Sequence, residues 1–140
     1  MKKKVVIVAV GVLIILAIGV ALFLMPINII KGDLSNVHIV YAGIGYSTQV
    51  STDYDGVDSD AQAITTTLKN GSIKRTFSRS YRNIPDSRIL LEYNDGTGHH
   101  SLWIYLEGDA VMIETNSFVG HFSGDTELLI NQIKTIVNYH

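Results

Sequence analysis

An uninterrupted apolar run near the amino terminus constrains this chain more than any other feature. Residues 5–25 carry no charge over 21 positions, and they lie between lysines at positions 2–4 and Pro26. As an α-helix this run is about 31 Å long, which matches the roughly 30 Å hydrocarbon core of a bilayer. A helix also satisfies its own backbone hydrogen bonds in lipid. We therefore expect residues 1–25 to comprise a cytoplasmic lysine cluster and a transmembrane anchor.

The distribution of charge predicts how this anchor is oriented. Basic flanks are retained on the cytoplasmic side of a membrane, whereas residues 26–140 hold 8 basic and 13 acidic side chains, a net charge of −5. We expect a single-pass protein of the cell membrane with its amino terminus inside and its carboxy-terminal domain outside. Secretion after signal cleavage near Gly19 and Ala21 is the alternative. The apolar run continues beyond these small residues and is longer than the core of a signal peptide, which favours the anchor.

The rest of the chain alternates between turn residues and short apolar patterns. Residues 26–36 are predicted to form a juxtamembrane linker, and residues 37–140 an extracytoplasmic α+β domain. Period-2 alternation and spacing of 3.6 residues predict strands and helices, respectively. The strands are expected near 37–41, 47–52, 73–79, 88–93, 101–106 and 111–113, and the helices at 58–69 and 126–137. We expect a small antiparallel sheet of about five or six strands, with a central meander, packed by two helices.

Two local patterns refine this fold. Ser59 and Gln62 have the spacing of a capping box at the start of the first helix of the domain. Trp103 and Tyr105 alternate with aliphatic residues on one strand, and large aromatic side chains dominate small cores. We therefore expect these two rings to pack under a helix, with an exposed aromatic contact patch as the alternative.

Motifs in the middle of the chain resemble a known family. They are Lys-Arg-Thr-Phe-Ser-Arg at 74–79, Ile-Pro-Asp at 84–86, Ile-Leu-Leu-Glu-Tyr-Asn-Asp-Gly at 89–96, Leu-Trp-Ile-Tyr-Leu-Glu-Gly at 102–108 and Ile-Glu at 113–114. Over residues 61–133 the chain resembles a family of short, N-terminally membrane-anchored extracytoplasmic domains of unknown function from Gram-positive bacteria. The resemblance implies an outer compartment and this fold, and it implies no catalytic residue.

A basic stretch with an interleaved aromatic residue is the favoured binding site. Arg75, Arg79 and Arg82 lie close together in the sequence, with Tyr81 among them. Such a patch suits an anionic partner. The expected outer location and the net negative charge of the domain argue against nucleic acid. Cross-strand pairing of these basic residues with Glu92, Glu107 and Glu114 is nevertheless the interpretation we favour, because such pairing is ordinary in exposed sheets.

Four aspartates form a weaker candidate site for a metal ion. Asp53, Asp55, Asp58 and Asp60 offer oxygen ligands that suit Ca²⁺, but they lack the glycine and glutamate positions of an EF-hand loop. A turn followed by the start of a helix explains the same residues. The adjacent histidines at 99–100 point to opposite faces of a strand, so they are not expected to share a metal. We therefore predict no metal site and no cofactor.

The sequence lacks two common signatures of nucleophilic catalysis. The chain has no cysteine and no Gly-x-Ser-x-Gly nucleophile elbow. We therefore expect a membrane-anchored binding module, not an enzyme, whose partner is an envelope protein, a peptide or an anionic wall polymer. Two alternatives remain open. One is a small metal-dependent or hydrolytic envelope enzyme; the other is an accessory subunit acting through its transmembrane helix, in which Gly11 and Gly19 permit close helix approach.

Overall fold

The computed structural model describes residues 1–138, which form a long apolar helix, a seven-stranded antiparallel sheet and two further helices. The α+β class expected from the sequence is confirmed. Residues 139–140, the last two of the predicted domain, lie outside the described residues. The elements are α1 (Lys2–Leu24), β1 (Ser35–Ile44), β2 (Thr48–Val50), α2 (Val57–Lys69), β3 (Ser72–Arg75), β4 (Ser87–Asp95), β5 (Gly98–Glu107), β6 (Ala110–Glu114), β7 (Val119–Ser123) and α3 (Thr126–Val137).

The predicted anchor is a single continuous helix. α1 spans 23 residues and buries none of its side chains against the described remainder of the chain. It is long and apolar enough to cross a membrane. The helix ends just before Pro26. Proline lacks a backbone donor and disfavours a helical residue before it, so the helix does not continue.

The sheet has the strand order β2-β1-β4-β5-β6-β7-β3. Strands β4 to β7 form a meander, and α2 carries the chain from the β2 edge to the opposite edge, where β3 pairs with β7. β7 was not predicted, because Gly120 interrupts the alternation of its apolar residues. Glycine is required there by close packing, since a Cβ atom on Gly120 would come within 2.5 Å of Cγ2 of Ile73.

The two helices of the domain cover one face of the sheet and enclose the main core. Strand residues alternate, so every second side chain of β4 and β5 points toward these helices. Full burial of one such aliphatic side chain stabilises the fold by about 1.5–3 kcal/mol. The core side chains that are 2% exposed or less include Ile89, Leu91, Leu102 and Ile104 from the strands, Ile64 and Leu68 from α2, and Leu129, Ile133 and Ile136 from α3.

The start of α2 differs from the predicted capping box. The helix begins at Val57, and its N-cap is Gly56 at φ +96°, with no hydrogen bond from a capping side chain. Glycine adopts this left-handed conformation without strain, so the turn at Gly56 leads directly into the helix without a side-chain cap. Asp58 and Asp60 lie in the first turn, where negative charge interacts favourably with the helix dipole. The Ser59 capping interaction was therefore a wrong prediction.

The segment predicted as a linker is packed against the sheet. Ile27 and Ile73 exchange two backbone hydrogen bonds, of 2.9 and 2.8 Å. Ile30 is 4% exposed and belongs to the main core. The backbone N–H of Gly96 donates to the carbonyl of Lys31 at 2.7 Å. The anchor is therefore followed by ordered, hydrogen-bonded chain at one end of the sheet, which we call the anchor end.

Asp95, at the end of β4, organises the anchor end. Its side chain is 0% exposed. Its carboxylate accepts hydrogen bonds from the backbone N–H of Lys31 at 2.9 Å and from both the N–H and the hydroxyl of Thr97. Burial acts to raise the pKa of Asp95, but these hydrogen bonds and the neighbouring His100 outweigh burial and hold the pKa well below its usual range.

Replacing Asp95 by Asn should weaken the anchor end in a pH-dependent manner. Loss of the buried carboxylate hydrogen bonds is expected to lower the free energy of unfolding by about 1–3 kcal/mol near neutral pH. Because the native pKa lies below the unfolded value of 3.8, this stabilisation is complete above that pH and disappears as the pH falls through the native pKa. Urea unfolding of the full chain in detergent, followed by Trp103 fluorescence, measures the difference.

Asp109→Asn is the matched control, since it makes the same change in the exposed β5–β6 turn. Equal stability of the two variants at neutral pH would contradict the role given to Asp95.

Candidate functional site

The face of the sheet opposite the helices, which we call the open face, carries a second and smaller cluster. Tyr105, Met112 and Val119 are buried there, with Tyr81 and Trp103 packed against them. The rings of Tyr81 and Tyr105 stack with centroids 4.2 Å apart. The prediction that the two aromatic residues of β5 pack under a helix is therefore wrong. Strand alternation places them on the open face, and both domain helices lie on the other one.

Residues 76–86, which we call the covering loop, cross the open face from the end of β3 to the start of β4. The loop is fastened mainly to two glutamates of the sheet. The backbone N–H of Tyr81 donates to Glu114 at 2.7 Å, its hydroxyl donates to Glu107 at 2.7 Å, and the Asn83 amide also donates to Glu107. Burial and the hydrogen bond to Glu107 raise the pKa of Tyr81 above its usual range. The phenol therefore remains a donor throughout the physiological range.

A groove of about 520 Å³ lies between the covering loop and the sheet. Met112 and Val119 contribute apolar surface, while Arg82, Glu107 and His121 contribute polar and charged groups. Ser and Thr hydroxyl groups from the loop line the remaining wall. The groove thus combines an apolar base with hydrogen-bonding walls, which is the usual composition of a ligand site.

Arg79 and Arg82 have no partner in the part of the chain that the structure describes. Neither side chain forms a hydrogen bond or an ion pair with any of residues 1–138. The favoured interpretation of cross-strand pairing with glutamates is therefore wrong. Glu107 and Glu114 accept hydrogen bonds from the covering loop, and Glu92 lies 3.1 Å from His38. The positive charges of the two arginines remain available to a partner.

Arg75 lies apart from the groove, at the junction with the anchor. Its Nη2 donates to the carbonyl of Leu22 at 3.2 Å, and its guanidinium lies 4.6 Å from the ring centroid of Phe23. The same ring stacks on Phe77, with centroids 5.0 Å apart. The last carbonyls of a helix lack intrahelical partners and carry partial negative charge. Arg75 therefore stabilises the end of α1, and the structure separates it from Arg79, Tyr81 and Arg82.

Arg88 was not among the predicted site residues, but its guanidinium packs against three aromatic rings. Its guanidinium lies 4.9 Å from the rings of Tyr41 and Tyr46 and 5.3 Å from that of Trp103. Nη2 also donates to the Tyr41 hydroxyl and to the Tyr46 carbonyl. These contacts join the β1–β2 turn to β4 through cation–π attraction. Strand alternation could have placed Arg88 on the face of Trp103, but a β-bulge between Ile39 and Tyr41 determines which face the Tyr41 ring occupies.

Two of the four aspartates considered as a metal site belong to the first turn of α2. Asp60 accepts a hydrogen bond from the Tyr54 hydroxyl at 2.8 Å, and Asp58 lies beside it in the first turn of α2. Asp53 and Asp55 precede that helix in the turn region. Within residues 1–138, no three His, Cys, Asp or Glu side chains are grouped in a way that would hold a metal ion.

The two adjacent histidines also have separate partners. His99 Nδ1 lies 2.9 Å from Oδ1 of Asn94, whereas His100 Nε2 lies 3.1 Å from Oδ1 of Asp95. These contacts tie both rings to residues of β4 at the β4–β5 turn.

Comparisons of this chain with protein-family models, with curated proteins and with solved structures find no match. No relative therefore supplies a function or a ligand. The resemblance to anchored domains from Gram-positive bacteria stays a prediction, and the function is inferred from the geometry of the open face and the anchor end.

The contact between α1 and the domain can be tested by cross-linking, because the chain contains no cysteine. A Phe23→Cys, Phe77→Cys double variant should react efficiently with a short thiol cross-linker, since the two rings are in contact. Adding Arg75→Gln should reduce the yield severalfold by removing the hydrogen bond to α1. The yield is measured by mass spectrometry after proteolysis of membranes.

A Phe23→Cys, Leu128→Cys variant provides the control, because Leu128 is also exposed but lies on α3. Equal cross-linking of the two pairs would show that the junction is not ordered.

Proposed function

We propose that this protein is a single-pass, membrane-anchored extracytoplasmic binding module whose groove holds an anionic segment of the cell envelope. The main support is the groove of about 520 Å³ beneath the covering loop, lined by Arg82. The guanidinium of Arg82 has no partner within residues 1–138. A partner with regularly spaced negative charges, such as an anionic wall polymer, fits this arrangement best.

The partners of the charged groups in the groove favour an anion. Glu107 is the acidic residue of its lining, and this carboxylate already accepts hydrogen bonds from Tyr81 and Asn83. Arg82 lines the same groove, and Arg79 lies three residues before it in the covering loop. A guanidinium presents a planar set of donors that binds phosphate or carboxylate in a bidentate manner. The glutamate oxygens are already engaged by the covering loop, so the free donors of the arginine are open to an anionic group.

The mixed lining of the groove suits a chain segment that has both apolar and polar parts. Met112 and Val119 form an apolar base, which suits the methylene or sugar backbone of a polymer. Hydroxyls from Thr76 and Ser80 line the loop side and are able to bond the uncharged oxygens of such a backbone. The proposed ligand therefore makes apolar contacts along its backbone and an ionic contact through its repeating charged group.

The charges that flank α1 support the proposed compartment. The lysines at 2–4 precede α1, and the acidic domain follows it. The rule that basic flanks stay in the cytoplasm supports an outer domain, where an envelope polymer is present.

This orientation can be tested by labelling single-cysteine variants in intact cells. Asp109→Cys, in the exposed β5–β6 turn, should react with a membrane-impermeant maleimide before lysis. Lys3→Cys should react only after the cells are lysed. The intact mass of the purified protein shows whether α1 is retained. Labelling of position 3 in intact cells, or an amino terminus beyond α1, would contradict the proposed anchor.

Ligand binding can be measured with the full chain in nanodiscs of zwitterionic lipid. The probe is a glycerol-phosphate oligomer, with an uncharged glycerol oligomer of equal length as the reference. We expect Arg82→Gln to weaken binding of the charged probe by about tenfold or more, the effect of a hydrogen bond to a charged group. Lys134→Gln is the control, because it removes the same charge from α3 on the far side of the sheet.

Three results would contradict the proposal. They are equal binding of both oligomers, unchanged binding by Arg82→Gln, and equal weakening by Lys134→Gln. Binding of an acidic peptide in place of the oligomer would retain the site but identify a protein partner.

A further inference from the structure

A second cavity, of about 570 Å³, opens at the anchor end of the sheet. Its walls come from three segments that are distant in sequence. Ile27, Ile29 and Lys31 come from the segment after α1, His100 from the β4–β5 hairpin, and Asn116 from the β6–β7 turn. This cavity is distinct from the groove, which lies under the covering loop on the open face.

The length of chain after α1 places this cavity close to the membrane. α1 ends at Leu24, so Ile27 is three residues beyond the helix. Three extended residues span at most about 11 Å. The headgroup layer on each side of the roughly 30 Å hydrocarbon core is about 5–7 Å thick. Ile27, where the cavity wall begins, therefore lies at the depth of the headgroups or immediately above them.

Phe77 provides an independent marker of the same depth. Its ring stacks on that of Phe23, near the end of the span. The Phe77 side chain is nevertheless 71% exposed. The backbone N–H of Thr76 and the backbone carbonyl of Ser78 both bond to the main chain of Val119, which holds Phe77 outward. Aromatic rings are enriched at membrane interfaces, so a bilayer around α1 would cover this exposed ring.

The chemistry of the cavity lining suits an anionic amphiphile. Lys31 contributes a side chain that has no hydrogen-bond or ion-pair partner within residues 1–138. Imidazole groups of His99 and His100 and the amide of Asn116 add polar atoms, and no acidic residue is among the described residues that line the cavity. The nearby Asp95 is turned inward and is bonded to the backbone of Lys31.

The remaining wall of the cavity is apolar. Ile27, Ile29 and Leu102 line it beside the ring of Tyr93. A cationic rim above an aliphatic wall matches a molecule that joins a negative headgroup to hydrocarbon.

We propose that this cavity binds the headgroup of an anionic phospholipid in the leaflet where α1 ends. The Lys31 ammonium pairs with the lipid phosphate, Asn116 donates to its oxygens, and the aliphatic wall contacts the upper acyl chain. This site is independent of the groove and holds the anchor end of the domain against the membrane.

Hydrogen exchange of the full chain in nanodiscs tests this site. Discs of phosphatidylcholine are compared with discs that also contain phosphatidylglycerol, and the amides of residues 96–101 and 115–117 report on the cavity. We expect slower exchange of these amides with the anionic lipid. Lys31→Gln should weaken the dependence on phosphatidylglycerol concentration by about fivefold, the effect of one basic residue at an anionic surface.

The controls separate this site from general attraction and from the groove. Lys134→Gln carries the same charge change on α3 and should leave the response intact. Arg82→Gln should also leave it intact, because Arg82 lines the groove. Asn116→Ala, in an exposed turn, provides a second lining variant that does not alter the Lys31 backbone contact with Asp95.

Two results would overturn the proposal. The first is an unchanged response in both Lys31→Gln and Asn116→Ala. The second is equal protection by free glycerol phosphate added to phosphatidylcholine discs, which would identify a soluble phosphate ligand instead of a lipid. Protection that needs phosphatidylglycerol and is reduced in both lining variants would support the lipid site.

Discussion

The hydrogen bonds that join residues 26–34 to the sheet determine how the whole domain is held on its anchor. The bonds between Ile27 and Ile73 and between Lys31 and Asp95 begin within a few residues of the end of α1. Backbone groups in these positions would otherwise be left without partners at the edge of the core, which is unfavourable. The anchor end, its cavity and the Phe23–Phe77 contact all depend on this short connection. A flexible spacer would leave none of them in a defined place.

The second constraint is that two helices cover one face of a seven-stranded sheet. α2 and α3 pack on the same side, so the aromatic residues of the other face need a different cover. The covering loop supplies part of it through the stacking of Tyr81 on Tyr105. Arg88, held among three rings, supplies another part near the β1–β2 turn. The groove is the portion of this face that neither element fills.

Local patterns in the sequence were sufficient for the long apolar helix, the fold class and most elements. The run at 5–25 is apolar throughout and the stripe at 126–137 has the helical period, and both helices lie where they were expected. The central strands were likewise indicated by strict alternation. β7 was missed because it contains Gly120. That glycine is needed to make room for the side chain of Ile73, which is distant in sequence. Such a requirement leaves no local pattern.

The candidate site was only partly accessible from the sequence. Proximity in the chain grouped Arg75 with Arg79, Tyr81 and Arg82, but β3 ends at Arg75 and the covering loop then leaves the sheet edge. The first arginine therefore contacts α1 while Tyr81 and Arg82 reach the groove. The cavity at the anchor end was not predicted, because its walls come from three segments that approach each other only in the folded chain.

The junction between α1 and the sheet has a mechanical consequence. Transmembrane helices tilt by about 20° on average, and they tilt further when their apolar length exceeds the bilayer thickness. Here the end of α1 is held by Arg75 and by the stacked Phe23 and Phe77 rings, and ordered chain follows directly. A change in helix tilt is therefore transmitted to the domain as a rotation. In the proposed membrane-anchored arrangement, the thickness of the membrane would thus set the angle at which the open face and its groove are presented.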